Sequence, residues 1–272
     1  MRTLDQTPFT FLDVETTGLS PRYGDKICEI ALLTVLNGEV QESYQTLINP
    51  GMPISLGATA VNGITNEMVE DAPFFAEVAE KVVRVIGASA IVAHNARFDL
   101  SFLSTQFQNS RVPLFDNPVI DTLLLARRHY SFPSNSLGNI CTSLDFTIKN
   151  EHRAMGDVAL TRMVFEKFLR DFKEQGITTL EDLLFLQGGS VPIPTSEETP
   201  LPPLLDEALR SRKKVRIFYV SAGARESVRV IEPLEVTSQG DYLYLLAFCH
   251  LRQEKRTFRL DRITELHTVE EW

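Results

Sequence analysis

The sequence predicts an α/β domain, a mixed sheet flanked by helices, followed by a second, small all-β domain expected to form a barrel or strongly bent sheet. Three observations carry that expectation. Apolar runs of strand length follow one another at the start of the chain. Short apolar runs then alternate with segments of helical spacing as far as about residue 172. Beyond a proline-rich stretch, further short runs are separated by turn residues.

Phe9 to Val14 reads as the first strand, being aromatic and apolar. It runs into Asp13 and Glu15, two positions apart, which a strand projects to one side. Thr16-Thr17-Gly18 ends it. Two neighbouring carboxylates at a buried strand end repel each other and call for a counter-charge, usually a divalent metal. Lys26 to Leu36 is expected as the second strand, Asn37-Gly38 as a hairpin turn and Val40 to Ile48 as the third strand. Phe74 to Ile86 has the spacing of an amphipathic helix. Ala90 to Ala93 is a short strand leading into His94 and Asp99, with a helix after it. Val119-Ile120 is another, followed by Asp121 and a helix. Val158 to Phe172 carries a long helical stripe that opens at Asp157, after a loop containing His152.

The proposed units are a first domain over 1–186, a linker over 187–203 with prolines at 192, 194, 200, 202 and 203, and a second domain over 204–272. In the second, Val215 to Val220, Val228 to Ile231, Leu234 to Val236, Tyr242 to Phe248 and Thr257 to Leu260 are expected as strands. Residues 1–200 hold 15 basic and 25 acidic side chains, and residues 201–272 hold 12 and 11. The net charge of -9 argues against a general nucleic-acid coat, but it is unevenly spread, and the second part could face a polyanion more readily. Cys28, Cys141 and Cys249 are far apart and show no metal spacing. No signal peptide or transmembrane stretch is evident, so a cytoplasmic protein with no membrane partner is expected.

Asp13-Val14-Glu15-Thr16-Thr17-Gly18, His94-Asn95-Ala96-Arg97-Phe98-Asp99 and His152-Arg153-Ala154-Met155-Gly156-Asp157 together resemble the three motifs of the DnaQ-like, or DEDD, 3′–5′ exonucleases. Ala60 to Ile64 and Ser136-Leu137 also look like that family, and the likeness covers about residues 8–172. It implies a ribonuclease H-like fold, and the histidine subtype because His152 stands five positions before Asp157. It further implies that Asp13, Glu15, Asp99 and Asp157 hold two divalent cations, Mg²⁺ or Mn²⁺, about 4 Å apart. Hard cations take oxygen ligands. His152 would then accept the proton of the attacking water, and Thr16 would contact the terminal sugar. His94 is read as supporting the site.

Residues 204–272 resemble the WYL domain through Ile217-Phe218-Tyr219, Arg229 to Pro233, Leu243-Tyr244-Leu245 and Arg256 to Ile263, with Leu243 where that family has tryptophan. The resemblance implies binding of nucleic acid or a nucleotide. Arg256, Phe258 and Arg262 would share one face of an extended strand and contact it. The alternative is that these arginines pair with neighbouring acids. The function expected from both likenesses is release of nucleoside monophosphates from DNA 3′ ends, single-stranded by expectation, alongside a polymerase or repair partner. An exoribonuclease on the same scaffold, or a regulatory binding protein with a vestigial nuclease fold, are the rival readings.

Overall fold

The computed structural model describes residues 2–147, 153–194, 201–221, 226–239 and 242–269. The first sheet contains β1 (Phe9–Thr16), β2 (Ile27–Leu36), β3 (Glu39–Leu47), β4 (Ala90–Ala93) and β5 (Val119–Asp121), in the order β3-β2-β1-β4-β5. β1 runs antiparallel to β2 and parallel to β4, and β4 parallel to β5, so the sheet is mixed as expected. The β2–β3 hairpin turns through Asn37 and Gly38, both with positive φ (51° and 81°). Asn-Gly takes this conformation readily.

Helices α1 (Leu56–Asn62), α2 (Asn66–Val69), α3 (Phe75–Ile86) and α4 (Ala96–Ser110) precede β5. α5 (Thr122–His129), α6 (Leu137–Ser143), α7 (Ala154–Glu174) and α8 (Leu180–Gln187) follow it. Alternation along β1 splits the core in two. Leu12 and Val14 face one layer, which contains α3 and α4. Phe9 and Phe11 face the other, which contains α7, and both pack edge-on to Phe165 at 5.0 and 5.7 Å. The row that begins Phe9, Phe11 continues as Asp13, Glu15. Aromatic burial at one end of a single strand face thus anchors the acids at the other. Truncating Phe165 to Ala removes that anchor, at a cost of about 3–5 kcal/mol.

The chain after α8 does not leave this domain at once. Gln187 is buried, its side-chain oxygen accepts from Asp121 N at 2.7 Å, and its amide nitrogen donates to Val119 O at 3.1 Å. Val191 N donates to Val119 O, and Val191 and Ile193 join the α3/α4 core. Residues 187–193 therefore line the outer edge of β5, although the prolines suggested a linker from 187.

The second domain contains α9 (Pro203–Ser211), β6 (Val215–Val220), β7 (Glu226–Gln239), β8 (Tyr242–Cys249), β9 (Glu254–Arg259) and β10 (Ile263–Thr268). The strands form one antiparallel sheet in the order β10-β6-β7-β8-β9, with α9 over its core. It is all-β apart from α9. Among the described residues β9 and β10 are edges, so no closed barrel is seen. The two strands expected over 228–236 are one strand, β7, with a bulge between Pro233 and Glu235. β10 has no counterpart among the expected strands.

Candidate active site

β1 delivers Asp13 and Glu15, and the first turn of α7 delivers Asp157, so that ligand oxygens of all three lie within 4.8 Å of one another. Asp99, in the first turn of α4, is buried behind them and accepts a hydrogen bond from Val14 N at 3.1 Å. Of the four acids named from sequence, Asp13, Glu15 and Asp157 thus come together, and Asp99 lines the same cleft. Asp13 and Glu15 keep part of their surface open to the cleft, yet protein atoms crowd their carboxyls.

The electrostatics are severe. Burial, then Asp99 and Asp157, raise the Asp13 carboxyl well above the usual carboxylate range. Burial and then Asp157 push Glu15 up to about 8. Asp99 is also pushed to about 8 by burial, although the Val14 N–H favours its charged form. Carboxyls in this state hold protons or a cation. An all-oxygen donor set of acids fits a hard divalent cation.

A fifth acid behaves differently. Glu29 on β2 is the register partner of Glu15 and is buried. Arg153 donates to it twice, from Nε at 3.0 Å and from a terminal nitrogen at 2.7 Å. Ala154 N at 3.1 Å and Gln45 Nε2 at 2.9 Å complete the set. Burial raises the Glu29 carboxyl, but the Arg153 fork, the Gln45 amide and the Ala154 N–H together hold it below its ordinary value. Glu29 thereby ties the start of α7 to β2 and aims Asp157 at Asp13. Sequence reasoning missed it because its partner lies 124 positions away.

His94 supports the site without titrating in it. Nε2 is 3.0 Å from Asn135 O and Nδ1 2.9 Å from Thr122 Oγ1, and burial pushes its pKa down to about 4. Since a carbonyl only accepts, Nε2 carries the hydrogen. Asp121 accepts from Asn95 N at 2.8 Å and Leu123 N at 2.9 Å, and holds Asn95 in the left-handed region (φ 65°) at the entrance to α4. Burial pushes Asp121 to about 6, against the pull of those N–H groups. Its position between a short strand and a helix was visible in the sequence, and it is indeed the N-cap of α5, but its bond to Asn95 N is tertiary.

Thr16 lines the cleft, and its hydroxyl donates to Gly18 O at 2.6 Å. His152 lies outside the described residues. Phe258 is not on a ligand-facing surface: it is 4% exposed and packs edge-on to Tyr219 at 5.1 Å within the second core. Strand alternation does pair positions 256 and 258, but at Phe258 that face turns inward. β9 also ends at Arg259, and Arg262 sits in a 3-10 turn, so the two arginines do not share a strand. Arg256 is exposed and 3.0 Å from Glu254.

The four acids open into a cleft of about 470 Å³. Its walls include Asn62, Phe98 and Leu137 from the first domain and Leu204, Leu266, His267 and Thr268 from the second.

Residues 10–165 match the family model described as Exonuclease, and residues 201–268 match the WYL domain. A Rhodobacter capsulatus protein named DNA polymerase III subunit epsilon-like protein is 40% identical over 186 residues, covering 66% of this chain and 26% of that protein. The chain therefore spans about a quarter of that curated relative. A solved structure of exonuclease X in complex with 5′ overhanging duplex DNA is 27% identical, with a TM-score of 0.51, and covers 66% of this chain and 99% of that one. Exonuclease I of E. coli in complex with a dT13 oligonucleotide is similar in fold at 20% identity, with a TM-score of 0.55 over 89% of this chain and 55% of that one.

Proposed function

The chain belongs to the exonuclease family, and on that footing we propose that it is a metal-dependent 3′–5′ exonuclease releasing nucleoside monophosphates from single-stranded DNA 3′ ends. The observation that carries the reading is the convergence of Asp13, Glu15 and Asp157 within 4.8 Å, with burial holding Asp13 and Glu15 far from their ordinary carboxylate state. Asp13, Glu15, Asp99 and Asp157 would hold two divalent cations, Mg²⁺ or Mn²⁺. When bound, the cations supply water activation and stabilisation of the leaving 3′-oxygen.

The chain's own residues do the rest. His152 takes the proton from the attacking water. Glu29, bonded to Arg153 and to Ala154 N, fixes the helix start that carries Asp157. Val14 N orients Asp99. Thr16 meets the terminal sugar. Arg256 and Arg262 are phosphate contacts on the second domain, which binds nucleic acid or a nucleotide. A polymerase or repair partner is in keeping with the name of the R. capsulatus relative. No described helix is long and apolar enough to cross a membrane. Free Cys28, Cys141 and Cys249 suit the reducing cytoplasm we assign to the chain.

The test uses DNA and RNA strands of equal sequence, labelled at the 3′ end, with Mg²⁺ and with EDTA. Mg²⁺-dependent release of a labelled mononucleotide from DNA is expected. No release from either strand would refute the activity, and release from RNA alone would reassign the substrate.

A further inference from the structure

The second domain is docked beside the acids through specific contacts. Arg127 of α5 donates to Asp206 of α9 at 2.9 Å, and both side chains are mostly buried. Asn135 N donates to both oxygens of Glu207 at 3.2 and 3.1 Å. Lys213 Nζ donates to Pro133 O at 2.6 Å. Leu19, just beyond β1, packs on the second core, and α1 packs beside β10. The Glu207 contact reaches the site itself, since Asn135 O is the partner of His94 Nε2.

This docking brings β10 to the catalytic cleft. Leu266, His267 and Thr268, with Pro202 and Leu204 before and in α9, face the same space as Asp13, Glu15 and Asp157. A volume of about 470 Å³ lies in the range that encloses one small ligand. A terminal nucleotide whose phosphodiester reaches the acids would share this space with β10.

We propose that the β10 edge of the second domain is the opposing wall of the nucleotide site, so that the terminal nucleotide of a nucleic-acid 3′ end is held between the two domains. This rests on the exonuclease reading and adds residues that neither domain's motifs contain. Phosphate goes to the acid side. The base packs against the apolar side, made by Leu19, Val61, Leu204 and Leu266. Among the described residues no lysine or arginine lines the cleft, so the wall acts by packing and hydrogen bonding rather than by charge. This wall is separate from the β9 arginine Arg256, which lies at the opposite edge of the sheet.

Two matched substitutions in the full chain test this. Thr268 on β10 and Thr257 on β9 are both exposed threonines at opposite edges of one sheet. Affinity for a fluorescent thymidine oligonucleotide is measured in Ca²⁺ at several salt concentrations. Thr268→Trp, which fills the cleft, should weaken binding at least tenfold, and Thr257→Trp should stay within twofold of wild type. Thr268→Trp should leave the salt slope at the wild-type value, because the wall meets the base and no phosphate contact is lost, whereas general unfolding would flatten it. Equal affinities for the two Trp variants, or a changed slope for Thr268→Trp, would overturn the proposal. The readout needs no hydrolysis. A wild type that binds but does not cleave would therefore refute the activity while leaving the wall to be judged on these variants.

Discussion

Glu15 and Glu29 stand opposite each other across β1 and β2, yet they sit in contrary electrostatic states. Glu29 has an arginine fork, an amide and a backbone N–H around it, and its carboxyl is held below the ordinary range. Glu15 has acids around it and is pushed up to about 8, with the Asn62 hydrogen bond favouring its charged form only weakly against them. The fold could satisfy a buried carboxylate at this place in the sheet, because it does so one strand away. Leaving Glu15, Asp13 and Asp99 short of cations keeps the charge available for a metal. The protein accepts local instability there, and fixes the surrounding frame with Glu29.

The largest expected effect of breaking that contrast is at its acidic side. Asp13→Asn or Asp157→Asn should abolish nucleotide release without lowering the metal-free melting temperature, because mutual repulsion is relieved. Calorimetry with and without Mg²⁺ checks both halves; near-normal turnover would remove that residue from the metal site. His152→Ala should lower the rate by about 10²–10⁴-fold, the range for a general base. Its metal affinity should be unchanged, and part of the activity should return at high pH. An unaltered pH profile would exclude it.

Glu29→Ala attacks the frame instead. Glu29 is buried but Arg153 is 38% exposed, so the arginine left behind can be rehydrated and the loss falls below the about 3–5 kcal/mol of a fully buried pair. Misplacing Asp157 by an ångström can cost about a hundredfold in rate. Denaturant melts and single-turnover rates measure the two losses, and a stable, fully active variant would show that the α7 start is held by something else.

pH sharpens the comparison, because the two acids have opposite signs. Glu15 and Asp99 carry folded values of about 8 against ordinary values near 4. The folded state keeps protons that the unfolded chain releases, so metal-free stability falls as pH rises from about 4 to about 8. Glu29 is lowered, so its contribution is present above its ordinary value and is lost as pH falls through the folded one. Metal-free melting temperatures should therefore decline from mildly acid to mildly alkaline pH. Divalent cation should reverse that decline, and Glu15→Gln should flatten it. A metal-free chain more stable at pH 8.5 than at pH 6 would contradict the assignment. The smallest effect is at Gln45→Ala, which removes one of the hydrogen bonds to Glu29. Gln45 is exposed, so water can take its place, and the change should cost about 0.5–1.5 kcal/mol and leave turnover nearly intact.

The acids were legible in sequence through the likeness of three ordered motifs to the DnaQ-like exonucleases; alone, Asp13-x-Glu15 is a weak signal and Asp99 and Asp157 look like ordinary first-turn acids. Asp13 and Glu15 follow the two-residue period of a strand, while Asp99 and Asp157 open helices after recognisable loops. What the period does not reveal is which face turns inward, and that is why Phe258 was assigned to the surface when it belongs to a core. β10 escaped notice because a 3-10 turn at Leu260–Arg262 breaks the run before it, and its short Ile263–Thr268 stretch carries only a weak strand signal. Glu29 and Arg153 were each visible as charges, but their pairing is purely tertiary.

Gln187 has a consequence of a different kind. Its side-chain amide occupies the place a sixth strand would take, bonding Val119 O and Asp121 N along the rim of β5. A chain stopped at residue 186, where composition alone marks the domain end, would bare those groups on a flat apolar rim. Exposed sheet edges recruit strands from other molecules. The shortest nuclease fragment that stays monodisperse should therefore extend past Ile193, and a shorter one should self-associate as its concentration rises.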